Sequence, residues 1–152
     1  MYKDTYEYCR SCDLCQRAKL TKRQLPIIQH KSYCGLPFGD CYTDFIGPLP
    51  ESSGMSYIIV FICPFTKWAE AKAVCDADAR TAAYAFVELV VARHGVPQRV
   101  ISDQGTHFTA NLFRQMMEIS STINVFTTPY HAQSNGQCER MNDTLKQLLR
   151  IY

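Results

Sequence analysis

Three acidic residues stand apart by their type and spacing. Asp44 lies in YTDFIGPLP and Asp103 in RVISDQGTHF, each at the acidic end of a short apolar run. Glu139 lies in TTPYHAQSNGQCERMNDTLKQLLR, where a Pro, Gly and Asn containing stretch passes into a helical pattern. An apolar run that ends in an acid is expected where a strand delivers a side chain to the edge of a sheet. Three carboxylates gathered at one place cannot all stay ionised without a cation, because like charges at close range raise one another's pKa. Mg²⁺, or Mn²⁺ in its place, resolves the repulsion, since it takes hard oxygen ligands and is usually held by one or two carboxylates plus phosphate oxygens. Two such ions about 3.5–4 Å apart stabilise both the attacking and the leaving oxygen of an in-line phosphoryl displacement. Water or a sugar hydroxyl can serve as the nucleophile, so one centre can cut a strand and join another. Such a centre needs no Ser, Tyr or Cys nucleophile.

The elements that must position these acids can be read from the hydrophobic period. Cys41 to Ile46 reads as a strand stopped by Gly47, Pro48 and Pro50, and it carries Asp44. ESSG makes a hairpin turn, Tyr57 to Ile62 is a buried strand, and Lys67 to Val74 completes an antiparallel meander. From Asp78 to His94 the period becomes helical, with Ala83, Phe86, Val87, Val90 and Val91 as its apolar face. Asp76 or Asp78 can cap it, and Gly95 and Pro97 end it. Arg99 to Ser102 is a fourth strand delivering Asp103, Asn111 to Ile119 a shorter helix, and Asn124 to Thr127 a fifth strand. Three antiparallel strands followed by alternation give an α/β (α+β) domain, a five-stranded mixed sheet flanked by helices. Gln104 and Gly105 read as a tight turn after Asp103.

Between Asp103 and Glu139 lie 35 residues. That spacing, with SDQGTHF, TPYHAQSNGQCER and TDFIGPLP, resembles the integrase catalytic core of retroviruses and of Ty3/gypsy-like retrotransposons, whose signature is D,D-35-E. The likeness covers roughly 38–152. It implies the RNase H-like fold, with Asp44, Asp103 and Glu139 as catalytic residues and Mg²⁺ ligands. The activity it implies is DNA integration: trimming of the element's 3′ DNA ends and their joining to a target strand. DNA and further copies of the chain would be its partners, and the nucleus its location. PYHAQSNGQ is similar to the family's catalytic loop, so that His131, Gln133, Ser134, Asn135 and Gln137 would face DNA, as would Gln104 beside Asp103. Lys146 matches a DNA-contacting lysine of the family and lies seven residues, almost two helical turns, after Glu139. His131 can equally be a turn residue, and Lys146 a solvated partner of Asp143 or Asn142.

Cys12 and Cys15, in YCRSCDLCQRAK, have the C-x2-C spacing of a tetrahedral zinc site. The resemblance makes them the last two ligands of an N-terminal His-His-Cys-Cys domain whose histidines precede Met1. Zn²⁺ is then expected only where those histidines are present. Residues 1–37 would be the remnant of that domain plus a linker, and 38–152 a catalytic core shortened at its C-terminal end. His30 and Cys34 offer a rival completion of the zinc site. The chain departs from the gypsy-type pattern at Cys63 and Pro64, where VDRFTKW becomes ICPFTKW and a turn ion pair is lost. It departs again at Ala132, Cys138 and Met141.

Composition bounds the alternatives. The 152 residues, 47% of them apolar, suffice for one domain with a real core. A net charge of +2 supplies no global positive field, so any grip on DNA is local. The eight cysteines come without a secretory leader or a run of about 20 apolar residues, which points to a reducing compartment and no membrane. Cys41, Cys63, Cys75 and Cys138 read as small hydrophobes. Two other functions compete: a non-catalytic nucleic-acid-binding relic or domesticated fragment, and an RNase H nuclease. The nuclease would need an acid on the first long helix near the site, where the helix interior offers only Glu88.

Overall fold

The computed structural model describes residues 2–18, 35–127 and 143–147. These form two compact units, 2–18 with 143–147 and 35–127. In the smaller unit, α1 (Tyr2–Ser11) and α2 (Asp13–Ala18) flank Cys12, and residues 143–147 are helical.

The larger unit is built on β1 (Asp40–Ile46), β2 (Tyr57–Ile62), β3 (Ala69–Val74), β4 (Arg99–Ser102) and β5 (Ile123–Phe126), in the order β3-β2-β1-β4-β5. β1 to β3 are antiparallel neighbours, while β4 lies parallel to β1 and β5 parallel to β4. β1 is therefore central, with an antiparallel partner on one side and a parallel one on the other. The expected mixed five-stranded sheet is present. β2 is a continuous apolar run because both its faces are covered: Ile59 and Phe61 on one, Val60 and Ile62 on the other, all buried.

Gly47 ends β1. Its φ of +154° disfavours a side chain, and a Cβ there would lie 2.3 Å from Tyr57 Cδ1. The hairpin to β2 turns at Ser53 and Gly54, closed by the Ser52 and Met55 bridge. The next turn shortens the third strand. Lys67 takes φ +67°, its N–H bonds to Cys63 O, and Cys63 N–H bonds to Trp68 O, so β3 begins at Ala69 and not at Lys67. Where the ion pair was expected to be lost, the Cys63 thiol accepts the N–H groups of Phe38 (3.2 Å) and Thr66 (3.4 Å). Burial would raise this thiol's pKa, but those bonds overcome it and lower it. Cys41 and Cys63 are buried as expected. Cys75 is exposed, because it follows β3 at the sheet's edge, and Cys138 lies outside the described residues.

One long helical segment crosses from β3 to β4: α3 (Ala79–Phe86), a π-helical turn (Val87–Val91) and α4 (Ala92–His94). Asp78 caps it, accepting the Thr81 N–H at 2.7 Å, and Gly95 ends it at φ +88°. Its buried face is Ala82, Ala85, Phe86, Leu89 and Val90. Ala83 and Val91 pack only partly against the core, and Val87 is exposed, one step of about 100° off the stripe that Phe86 occupies. α5 (Thr106–Thr109) and α6 (Asn111–Ile119) add Phe108, Phe113 and Met117 to the same core.

Two ionic groups built on buried carboxylates join neighbouring elements, one within the sheet and one between sheet and helix. Asp40 and Arg99 are joined across β1 and β4 by two bonds of 2.6 Å. Glu70, on the edge strand, accepts from Trp68 Nε1 (2.9 Å) and Arg93 Nη1 (2.6 Å), and lies 2.8 Å from His94 Nε2. The His94 ring stacks on Phe38 at 3.8 Å. No helix among the described residues is long and apolar enough to cross a membrane.

Candidate active site

β1 and β4 run parallel, so their C-terminal ends open on the same edge of the sheet, beside the strand where the direction of pairing changes. In open α/β sheets this is where ligands bind. Asp44 sits two residues from the end of β1, half-buried, with Oδ1 accepting the Phe45 N–H at 2.8 Å. Asp103 follows the last residue of β4 and is exposed. The register pairs Asp40 with Arg99, Cys41 with Val100 and Tyr42 with Ile101. Continued two residues, it sets Asp103 alongside Asp44, one strand spacing of about 4.8 Å away. The same register thus directs two acids from runs far apart in the chain toward one edge of the sheet.

The turn after Asp103 is built around its own carboxylate. Oδ1 accepts the Gly105 N–H at 3.0 Å, and α5 begins at the next residue. This one-turn helix lay hidden in SDQGTHF, which read only as a turn. It carries His107, which no spacing signal singled out. The His107 ring lies edge-on to Phe45 (4.7 Å) and Phe108 (4.4 Å), and its Nε2 is 4.0 Å from Asp103 Oδ1, too far for a hydrogen bond. That Nε2 is inaccessible and has no hydrogen-bond partner among the described residues. Burial lowers the pKa of the imidazole, against the opposing pull of Asp103. A Cβ on Gly105 would fall 2.6 Å from His107 Nε2 and 2.9 Å from Asp103 Oδ1, so only glycine leaves the space between them open. Gln104 is exposed beside Asp103.

The chain leaves β5 next to this edge, where the Thr127 N–H bonds to Ser102 O at 2.9 Å, one residue before Asp103. Glu139 and the loop residues His131, Gln133, Ser134, Asn135 and Gln137 lie outside the described residues, as do His30 and Cys34. Lys146 is exposed in the helical stretch 143–147 of the smaller unit. Cys12 and Cys15 are hydrogen-bonded to each other; the Cys15 N–H and thiol lower the Cys12 pKa, and the shared bond raises that of Cys15. Glu88 pairs with Lys72 of β3 at 2.5 Å, on the edge strand and not on β1 or β4. Among the described residues, no three His, Cys, Asp or Glu side chains form a metal cluster. The described acids of the site are two, a donor set that suits Mg²⁺ completed by phosphate oxygens.

Residues 36–132 match the integrase core domain family. The chain is 30% identical over 149 residues to the Pro-Pol polyprotein of Simian foamy virus type 3 (strain LK3), across 97% of this chain and 13% of that protein. It is 31% identical over 116 residues to the retrovirus-related Pol polyprotein from transposon 412 of Drosophila melanogaster, across 76% of this chain and 9% of that protein. It is also 31% identical over 157 residues to the transposon Tf2-3 polyprotein of Schizosaccharomyces pombe, across 97% and 11%. The chain thus spans only 9% to 13% of the length of these relatives. Among solved structures it resembles the catalytic core domain of BIV integrase (TM-score 0.60, 22% identity, 75% of this chain and 70% of that one). It also resembles a chain of the simian T-cell lymphotropic virus intasome in complex with PP2A regulatory subunit B56 gamma (TM-score 0.71, 21% identity, 98% and 52%). The fold is the RNase H-like one of these integrase cores.

Proposed function

This chain belongs to the integrase core domain family, and from that premise we propose that it is the polynucleotidyl transferase core of a DNA-integrating element, trimming 3′ DNA ends and joining them to a target strand. The observation that supports this reading is the parallel register of β1 and β4, whose continuation by two residues sets Asp44 beside Asp103. With Glu139 as the third acid, they would hold Mg²⁺ or Mn²⁺. When bound, the cation supplies charge neutralisation at the phosphate and activation of an oxygen nucleophile.

The chain's own residues prepare that centre. The Gly105 N–H fixes one oxygen of Asp103, leaving the other for a ligand. Gln104, exposed next to it, is an uncharged donor and acceptor for a DNA strand, as Gln133, Asn135 and Gln137 would be from the loop that follows Thr127. Lys146 would neutralise a backbone phosphate. One structural relative was solved as an intasome; DNA ends, target DNA and further copies of this chain are the corresponding partners here, and a chromosomal target puts the protein in the nucleus. Residues 1–37 on this view are a zinc-domain remnant with its linker, Cys12 and Cys15 joining Zn²⁺ only when two further ligands come from upstream. Residues 38–152 are the core.

The test is Mg²⁺- or Mn²⁺-dependent joining of a recessed 3′ oligonucleotide end to a second duplex. Asp44→Asn and Asp103→Asn should each abolish joining and leave the circular dichroism unchanged. Joining that survives either substitution would refute the assignment.

A further inference from the structure

We infer that His107 is a positioning residue for Asp103, donating a hydrogen bond from Nε2 to Oδ1 and so orienting the carboxylate for a divalent cation. The inference rests on Asp103 being a metal ligand, and it adds a residue that neither the motif spacing nor the acid pattern contains.

The ring is the fixed member of the pair. Phe45 from β1 and Phe108 from the core clamp it edge-on, whereas the Asp103 side chain is 52% exposed and held on one oxygen by the Gly105 N–H. Nε2 is sealed from solvent and makes no hydrogen bond among the described residues. A buried polar group left without a partner destabilises the fold, so its retention beside a carboxylate calls for a use. Oδ1 stands 4.0 Å away, and a movement of about 1 Å brings it within hydrogen-bond distance. A carboxylate offers about four lone-pair sites, and Oδ1 can take Nε2–H together with the Gly105 N–H it already accepts. Gly105 keeps the path clear, since a Cβ would lie in the gap, against both atoms. The φ of Gly105 is −58°, which any residue adopts, so closeness and not backbone strain explains the glycine. A carboxylate held by the Gly105 N–H and the imidazole on one oxygen presents the other in a defined direction. This is how hydrogen bonds from outside the ligand set tune a metal site.

Mg²⁺ binding by the whole 152-residue chain, measured by titration calorimetry, tests the inference, with Asp103→Asn as the reference for a lost ligand. His107→Ala should weaken Mg²⁺ by about tenfold or more, in the range such supporting partners show. His107→Gln, which keeps an uncharged N–H donor, should restore most of that loss. Gly105→Ala leaves both side chains in place but fills the gap, and should weaken binding too. In the metal-free chain, ¹⁵N spectra of the imidazole should show the proton on Nε2, with a resonance that shifts on Asp103→Asn; this reading holds even if His107→Ala misfolds. Wild-type affinity in both His107→Ala and Gly105→Ala, with Asp103→Asn defective, would overturn the positioning role alone. Wild-type affinity in Asp103→Asn would overturn the metal assignment and this inference together.

Discussion

Arg99 Nε and Nη2 donate to the two oxygens of Asp40 at 2.6 Å each, and this buried bidentate pair joins residues with the same 59-residue offset that separates Asp44 from Asp103. The ion pair and the candidate site are therefore two points on one register. A slip of a parallel strand by one residue turns every side chain to the other face, and it would part the two acids. A bidentate pair at the start of both strands admits only the observed alignment.

Replacing Arg99 by Met should consequently cost about 3 kcal/mol or more, since it strips a 2% exposed carboxylate of its strongest bonds. Urea unfolding at neutral pH measures it. A loss below about 1 kcal/mol would show that the pair does not hold the register.

Glu70 predicts a pH dependence. Burial alone would raise its pKa, but the bonds from Trp68 and His94 and the charge of Arg93 overcome this and hold it below the usual glutamate range. A carboxyl depressed in the folded state stabilises it fully above the unfolded pKa, and that stabilisation is lost as pH falls through the folded value. Glu70→Gln should thus be less stable than the parent by roughly 1.5–3 kcal/mol at neutral pH. The gap should close on acidification below the ordinary glutamate range. A gap constant from pH 7 to pH 3 would assign the effect to packing.

Gly47 predicts a steric penalty. Gly47→Ala meets both the φ of +154° and the Tyr57 ring, and should destabilise by about 1–3 kcal/mol. In the Tyr57→Ala background part of that cost should disappear. Full additivity of the two substitutions would show that the backbone conformation alone demands glycine.

For Lys146, exposed on its helical stretch, contact with a phosphate and a purely solvated role differ in their response to salt. Lys146→Ala should weaken DNA binding alike across sequences and reduce the slope of log K against log[salt] by about one. An unchanged slope would leave it a surface residue.

The parts of this molecule written locally were legible in the chain. β2 and β4 and the helix Asn111–Ile119 have the expected bounds, because apolar period and turn residues suffice to mark them. Asp44 and Asp103 could be singled out because each follows a short apolar run in the chain, although β1 continues two residues past Asp44. Asp40 with Arg99, and Glu70 with Arg93 and His94, could not be paired in advance, since they meet only through the sheet order and the crossover helix. His107 was missed for another reason: a one-turn helix has no period to detect, and its ring matters through the gap at Gly105, which is a property of shape.

The π-helical turn at Val87–Val91 gives the crossover helix one residue more than a regular α-helix needs to join the same two ends. Deleting a residue there would close the segment into a continuous α-helix and leave Arg93 and His94 on the face that reaches Glu70. A further residue has no such slack: an α-helix advances about 100° per residue, so an insertion would turn Arg93 and His94 by more than a quarter turn while Ala82, Ala85 and Phe86 stayed seated. Among natural variants of this chain, loss of a residue between positions 87 and 91 should leave the acid at position 70 in place, whereas gain of one should accompany its replacement, a coupled pattern of indel and substitution between elements that lie apart in sequence.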